Sequence, residues 1–198
     1  MEIEAHLEFQ KIETALLFCV DRATSWAGEV FRSAAPKYSG TRDMTTGLGS
    51  ARAGGRWNPR GSFPTVYASL EPETAMSESL ATFRYYGWAL HSALPRLFRA
   101  IEVELARALD LRELPQGHPL KPWMVKALRE DWRRIQDRGR ESTSQALGRA
   151  AWLAGLESLL VPSHASPGGG NAVIFPDQLR PGSRIRALGA RKIARKNS

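Results

Sequence analysis

The sequence predicts an α/β protein of the α+β type, one compact domain in which helices flank a central mixed β-sheet. The clearest strand is Arg96–Leu105, where apolar and charged side chains alternate as they do in a half-buried strand. The clearest helix is 72–86, whose apolar side chains fall on one arc at about 100° per residue. The length of 198 residues fits one domain with a substantial core.

The N-terminal part is predicted to hold a helix and then a short strand. In residues 1–28 apolar side chains recur at three- and four-residue steps, and Gly28 can end a helix. Glu29–Ser33 follows as a strand with Arg32 on the same face as Val30. An arginine on an inward face needs a partner, so Arg32 either holds an anion in a cleft or forms a structural salt bridge.

A long glycine-rich segment separates this strand from the next one. Gly40–Gly55 contains five glycines and little periodicity, which predicts a loop. Phe63–Ser69 then alternates as a strand. The helix that follows has Pro72 in its first turn and Gly87 just beyond its end, as is common at helix ends.

Two helices and three strands are predicted in the second half. Trp123–Arg138 has the pattern of one amphipathic helix, and Ser142 or Thr143 begins another that ends near Gly155. Short apolar runs predict strands at 159–163, 171–175 and 183–188, and the basic tail 189–198 is predicted to be disordered.

The chain is strongly basic, with a formal net charge of +8 and a pI near 10.1. Much of this charge lies in 129–140 and 180–196. Three interpretations stay open: a solvated surface, a nucleic-acid site, or a field that attracts an acidic protein or a polyphosphate ligand.

Other features exclude several classes of site. The single cysteine, Cys19, rules out a disulfide framework and a cysteine-based zinc site, and its apolar neighbours predict a buried thiol. The four histidines show no metal-ligand spacing, so no metal is predicted. Because no apolar run reaches about 18 residues and the N-terminus is polar, we expect no membrane span, no signal peptide and a cytoplasmic location.

Five side chains stand out as candidates for chemistry: Arg32, Arg56, Tyr67, Glu78 and Ser163. Two guanidinium groups can bind a diphosphate, and a tyrosine ring can stack on a flat base. A carboxylate can stabilise a developing cation, and the serine hydroxyl can orient an amide or a ribose. This set suits NAD⁺ as a substrate, because its glycosidic bond breaks through an oxocarbenium-like state.

The same residues lie in motifs that resemble those of the RES-domain family, toxins of bacterial toxin–antitoxin pairs. The resemblance covers residues 29–188, between the lead-in 1–28 and the tail. The matching residues are Phe31-Arg32, Gly55-Arg56-Trp57-Asn58 with Gly61, Val66-Tyr67-Ala68-Ser69, Glu78, Val161-Pro162-Ser163, Asn171 and Pro176.

The resemblance implies a fold similar to that of ADP-ribosyltransferases, with a split central sheet around an NAD⁺ cleft. It implies that NAD⁺ is consumed by hydrolysis, by phosphorolysis or by ADP-ribosyl transfer to a protein. NAD⁺ would be a substrate rather than a cofactor, and phosphate is a candidate co-substrate. The implied partner is an antitoxin with an Xre-like helix-turn-helix, through which nucleic acid would be contacted only indirectly, and whose C-terminal segment would block the cleft.

By position in the motifs, the resemblance implies catalytic roles for Glu78, Tyr67 and Arg32. It implies that NAD⁺ is bound by Arg32, Arg56, Tyr67, Ser163 and Asn171. Two features depart from the family pattern: Ser33 replaces a common aromatic residue, and the segment 40–55 is long. The alternative functions are a basic nucleic-acid-binding domain and a catalytically inactive interaction domain.

Overall fold

One six-stranded mixed sheet organises the structure, a computed structural model that describes residues 3–189. The strands are β1 Thr24–Ala34, β2 Val66–Ser69, β3 Leu97–Asp110, β4 Ser158–Pro162, β5 Gly170–Ile174 and β6 Arg184–Ala187. The α-helices are α1 Phe9–Leu17, α2 Thr41–Thr45, α3 Leu48–Ala53, α4 Pro72–Tyr85, α5 Lys121–Arg129, α6 Trp132–Asp137 and α7 Thr143–Leu153. Within residues 3–189, no helix is both long and apolar enough to cross a membrane.

The strand order is β1-β2-β5-β4-β3-β6, and β1 also pairs with β3. Only β3 and β4 run parallel; the other pairs are antiparallel. The long strand β3 can pair with three strands: with β1 from Leu97 to Ala108, with β6 from Ile101 to Glu104 and with β4 from Ala108 to Asp110. β1 and β2 meet only at Phe31 and Ser69. The sheet therefore has two halves that are joined weakly at this point.

Apolar side chains pack on both faces of the sheet. One core cluster joins α1, α5 and α7 to the sheet, and the other lies around Val30, Ile101 and Ile174. Helix α7 is buried over most of its length, and it begins with a capping box in which Ser142 and Gln145 satisfy each other's backbone N–H groups. Ser142, one of the two predicted starting residues, is thus confirmed as the cap.

Several predicted elements are close to those observed. The helix predicted at 72–86 is α4, with Gly87 in the left-handed conformation after its end. The strand predicted at Arg96–Leu105 is the first part of β3. The strand predicted at 183–188 is β6, which lies at the end of the strand order.

Three predictions of secondary structure are wrong. The helical lead-in does not extend to Gly28, because β1 begins at Thr24 and pairs along its length with β3. The segment Gly40–Gly55 is not a plain loop, since it contains α2 and α3 with Gly47 in the left-handed conformation between them. The helix predicted at Trp123–Arg138 is two helices. The predicted disorder after residue 189 lies outside the described residues.

The break between α5 and α6 has a local cause. Glu130 takes an extended conformation, and the side chain of Asp131 then accepts a hydrogen bond from the Arg134 backbone N–H at 3.1 Å. Aspartate is a favoured N-cap, so Asp131 begins a new helix. The amphipathic pattern continues across the break, which is why periodicity alone indicated one helix.

A buried carboxylate holds three segments of the fold together. Glu157 is fully buried just before β4. Its carboxylate accepts hydrogen bonds from the backbone N–H groups of Ala106, Arg107 and Arg180 and from the Ser183 hydroxyl. Burial acts to raise the pKa of this group, but the hydrogen bonds together leave the pKa of Glu157 below its ordinary value of 4.5.

Glu157→Gln should therefore lower the free energy of unfolding at pH 7 by about 2 kcal/mol, because an amide N–H₂ would face a backbone donor. A carboxyl group with a lowered folded-state pKa stabilises the fold above its unfolded pKa, and this contribution is lost as the pH falls through the folded pKa. The difference in the free energy of unfolding between wild type and variant should thus shrink below pH 4.5. Urea denaturation between pH 7 and 3 measures it.

The control for this measurement is Glu29→Gln, which neutralises an exposed carboxylate on β1 that accepts no hydrogen bond from a described side chain. It should change the free energy of unfolding little at any pH. If Glu157→Gln lowered the free energy of unfolding by the same amount from pH 7 to pH 3, the stabilising role of the ionised Glu157 carboxylate would be contradicted.

Candidate functional site

A cleft of about 1080 Å³ opens where β1 and β2 meet. Its walls come from the ends of these strands, from α4 and from the segment around α6. The volume is that of a pocket for a large ligand rather than for a single ring. The weak join between the two halves of the sheet places the cleft here, because few backbone hydrogen bonds close this side.

Glu78 lies in the cleft on α4, and two side chains fix its carboxylate. Its Oε1 accepts hydrogen bonds from Ser163 Oγ and from Asn171 Nδ2, both at 2.7 Å. Asn171 Oδ1 in turn accepts from Ser69 Oγ at 2.7 Å, so the amide orientation is also fixed. The second oxygen, Oε2, receives no hydrogen bond from a described residue. The arrangement holds a carboxylate in one orientation and leaves one oxygen for a ligand.

Ser163 and Asn171 are thus both hydrogen-bonded to Glu78, and Asn171 also lines the cleft. The Ser163 hydroxyl also accepts from the backbone N–H groups of Ala165 and Ser166, at 3.2 and 3.0 Å. These contacts make both side chains positioning residues for the carboxylate. Direct binding of NAD⁺ by either one stays a prediction.

Arg32 and Arg56 line the same cleft, and both donate hydrogen bonds to backbone carbonyls. Arg32 Nη1 donates to the Met44 carbonyl at 2.9 Å, and Arg56 Nη1 donates to the Ala127 carbonyl at 3.0 Å. No described carboxylate lies within salt-bridge distance of either guanidinium. The salt-bridge interpretation of Arg32 is therefore wrong for the described part of the chain.

The electrostatics of these arginines favour the binding of an anion. Burial lowers the pKa of both guanidinium groups, and the negative charge of Glu78 partly offsets this for Arg56. A desolvated cation without a paired carboxylate is costly unless an anion binds it. The two arginines can supply forked donors to the two phosphates of a dinucleotide.

Tyr67 lines the cleft, and its hydroxyl is fully engaged inside the protein. The hydroxyl accepts from the Trp57 backbone N–H at 2.9 Å and donates to Asn58 Oδ1 at 2.7 Å. Burial raises the pKa of Tyr67, so the phenol stays protonated and keeps this donor. A Cβ at Gly55 would lie 2.4 Å from the phenol oxygen, which explains the glycine there. With its hydroxyl fixed, the ring is held as a rigid surface.

Two glutamines support the turn that carries Arg56, and sequence reasoning missed both. Gln145 Nε2 donates to the Gly55 carbonyl at 3.0 Å and to Gln136 Oε1 at 2.9 Å. Gln136 Oε1 also accepts from the Arg60 backbone N–H at 3.1 Å. Both glutamines are buried, and a buried amide normally needs such partners. The position of Gln145 on the apolar face of a predicted helix could have indicated a buried amide, which needs hydrogen-bond partners.

The rim of the cleft holds a further group that sequence reasoning did not assign. The Arg133 guanidinium lies 4.9 Å from the Tyr85 ring centroid and 4.6 Å from that of Trp132. Tyr85 also donates a hydrogen bond to Asp131 at 2.8 Å. The residues that line the cleft include seven arginines and four carboxylates, so its field attracts anions.

Cys19 is buried, as predicted, and contributes no nucleophile. Its Sγ lies 3.7 Å from His118 Nε2 within the core. Burial raises the pKa of the thiol and lowers the pKa of the imidazole. Both groups are therefore neutral at pH 7, whereas a nucleophilic cysteine requires a thiolate.

The sequence-predicted residues meet in one place. Arg32, Arg56, Tyr67, Glu78 and Asn171 all line the cleft, and Ser163 joins them through its hydrogen bond to Glu78. Chemically, the site combines two anion-binding guanidinium groups, an aromatic ring and an oriented carboxylate. Their roles toward a substrate stay predictions.

Known proteins share both the sequence pattern and the fold. The NAD(+) phosphorylase MbcT of Mycobacterium tuberculosis is 28% identical over 151 residues, which cover 74% of this chain and 75% of MbcT. The corresponding protein of Mycobacterium bovis matches with the same figures. The crystal structure of the M. tuberculosis MbcT–MbcA toxin–antitoxin complex has a TM-score of 0.64 at 22% identity, over 90% of this chain and 92% of that chain, and thus has the same fold. The model of the RES domain matches residues 29–194, well over half of the sequence, and the chain therefore belongs to the RES domain family.

Proposed function

We propose that this protein is the toxin of a toxin–antitoxin pair and consumes NAD⁺ by cleaving the bond between nicotinamide and ribose, with phosphate as the acceptor. The observation that carries the proposal is the oriented carboxylate of Glu78 in the same cleft as two guanidinium groups that pair with no carboxylate of residues 3–189. The relative named as an NAD(+) phosphorylase supports phosphate over water or a protein as acceptor.

The geometry suggests how the reaction would proceed. Arg32 and Arg56 bind the pyrophosphate, and Tyr67 stacks on nicotinamide. When the C1′–N bond breaks, its electron pair leaves with nicotinamide, and positive charge develops on the ribose. The Glu78 carboxylate stabilises this oxocarbenium-like state, and a phosphate oxygen then bonds to C1′ to give ADP-ribose 1-phosphate. Ser163 and Asn171 keep the carboxylate oriented throughout.

One assay tests the proposal and separates the acceptors. The purified protein is incubated with NAD⁺ with and without phosphate, and the products are resolved by mass. We expect nicotinamide and ADP-ribose phosphate when phosphate is present. Free ADP-ribose would indicate hydrolysis, and a mass increase on protein would indicate ADP-ribosyl transfer to a protein target. If no nicotinamide is released under either condition, the proposed activity is wrong.

We also propose the finer features that the family resemblance implies. The weak join between the two halves of the sheet supports an ADP-ribosyltransferase-like split sheet around the cleft. The solved toxin–antitoxin complex supports an antitoxin partner, for which we propose an Xre-like helix-turn-helix and a segment that blocks the cleft. Consumption of NAD⁺ in this way suits a cytoplasmic location. Co-purification with the protein of the adjacent reading frame tests the partner.

The nucleic-acid alternative is less well supported. Much of the basic tail segment 180–196 lies outside the described residues. Inside them, the two arginines of β6 are already paired: Arg184 with Glu104 at 2.6 Å and Arg186 with Glu102 at 2.7 Å. Charges that are paired within the protein contribute less to phosphate binding.

A further inference from the structure

Arg96 is a third guanidinium in the cleft that the proposed reaction does not use. It directly precedes β3 and lies beside the end of β1, where Ser33 pairs with Phe98. Its Nε donates to Ser33 Oγ at 2.8 Å, and its Nη2 donates to the Ser33 carbonyl at 3.0 Å. Two donors thus fix the plane of the guanidinium, and Nη1 makes no hydrogen bond to a described residue.

Within the described part of the chain, no carboxylate is paired with Arg96. Among residues 3–189, no carboxylate lies within salt-bridge distance of it. Burial alone lowers its pKa, whereas Glu78 and Asp43 offset the same effect for Arg56 and Arg32. Arg96 therefore differs from the other two arginines in that no described carboxylate offsets the effect of burial.

A second arginine at the start of β3, Arg99, also has no described carboxylate partner. Arg99 on β3 is the cross-strand partner of Arg32, and like charges placed opposite each other are unfavourable. Its Nη1 donates to the Leu188 carbonyl at 3.3 Å, while its Nε is buried without a hydrogen-bond partner. Arg32 and Arg99 thus oppose each other where β1 and β3 pair, and no described carboxylate is paired with either of them or with Arg96.

From this arrangement we propose that Arg96, held by Ser33, forms a third anion subsite that binds a phosphate dianion separate from the pyrophosphate. The inference rests on the proposed function, in which Arg32 and Arg56 already bind the two phosphates of the dinucleotide. The third phosphate has two sources of the same chemistry: free orthophosphate, or the 2′-phosphate of NADP⁺. Ser33 takes part because its hydroxyl and carbonyl orient the guanidinium fork.

Equilibrium binding tests the subsite without turnover. Inorganic phosphate, NAD⁺ and NADP⁺ are titrated separately by calorimetry into protein with Glu78→Gln, alone and combined with Arg96→Gln, at constant ionic strength. The loss of Arg96 should weaken binding of phosphate or of NADP⁺ by about 10-fold or more, and should leave binding of NAD⁺ unchanged. Weaker binding of phosphate identifies the free ion, and weaker binding of NADP⁺ alone identifies the 2′-phosphate.

Two further variants separate binding from general effects. Arg180→Gln removes an exposed arginine whose side chain makes no hydrogen bond to a described residue, and it should change none of the three affinities. Ser33→Ala should weaken the same ligand as Arg96→Gln, but less. Arg96→Lys should restore part of the affinity, because it returns the charge without the fork.

Two results would overturn the subsite: no change in any affinity with Arg96→Gln, or an equal loss for NAD⁺ and NADP⁺, which would place Arg96 on the pyrophosphate. These results are independent of the proposed function. That function fails if the wild-type protein releases no nicotinamide, whatever the calorimetry shows.

Discussion

Glu78→Gln should reduce nicotinamide release at saturating NAD⁺ by about 10³-fold, because it removes the negative charge that stabilises the oxocarbenium-like state. Glutamine keeps an oxygen that can accept from Ser163 and Asn171 at 2.7 Å, so the shape of the site is retained. Binding of NAD⁺ and the melting temperature should change little. Steady-state kinetics, calorimetric titration and thermal unfolding measure these three quantities.

The matched control is Glu73→Gln, which removes an exposed carboxylate from the same helix, α4, outside the residues that line the cleft. It should retain wild-type kcat. The role of Glu78 would be contradicted if its variant were folded, bound NAD⁺ normally and kept a turnover close to that of the control. A Glu78→Gln protein that failed to bind NAD⁺ would instead indicate a role in binding. In that case KM would rise, whereas loss of a role in the reaction alone lowers kcat.

Gly148→Ala should lower the free energy of unfolding by about 3 kcal/mol, although alanine favours a helix over glycine by about 1 kcal/mol. A Cβ at Gly148 in α7 would lie 1.8 Å from the Trp57 carbonyl oxygen and 2.8 Å from its carbon. These are backbone atoms of the turn next to Arg56, so they cannot move away as a flexible side chain would. Urea denaturation measures the loss.

Gly49→Ala is the matched control, because it makes the same change in another helix, α3, where a Cβ would meet no atom within 4 Å. It should raise the free energy of unfolding by up to about 1 kcal/mol. If Gly148→Ala were as stable as this control, the close approach of α7 to the Trp57 backbone would be wrong. Since the turn also holds Arg56, we expect Gly148→Ala to raise the KM for NAD⁺ as well.

Local signals explain which parts of the fold could be predicted. The arc of apolar side chains, Pro72 and Gly87 bound α4 within a few residues, and the alternation in Arg96–Leu105 identifies β3. The capping box at Ser142 likewise needs only a few neighbouring residues. Thr24–Gly28 was missed because its pairing with β3 comes from a strand that is distant in the chain.

The residue types of the site could be predicted without coordinates, since two arginines, a tyrosine and a carboxylate lie in motifs whose order matches the RES family. How these side chains are held depends on contacts between distant segments. Glu78 and Asn171 are 93 positions apart, and their 2.7 Å hydrogen bond exists because α4 packs on β1 and β2, and β2 pairs with β5 so that Asn171 lies opposite Ser69. The hydrogen bond from Arg96 to Ser33 likewise joins residues that are 63 positions apart. Local patterns report backbone preference, whereas distances between charges depend on which elements pack together.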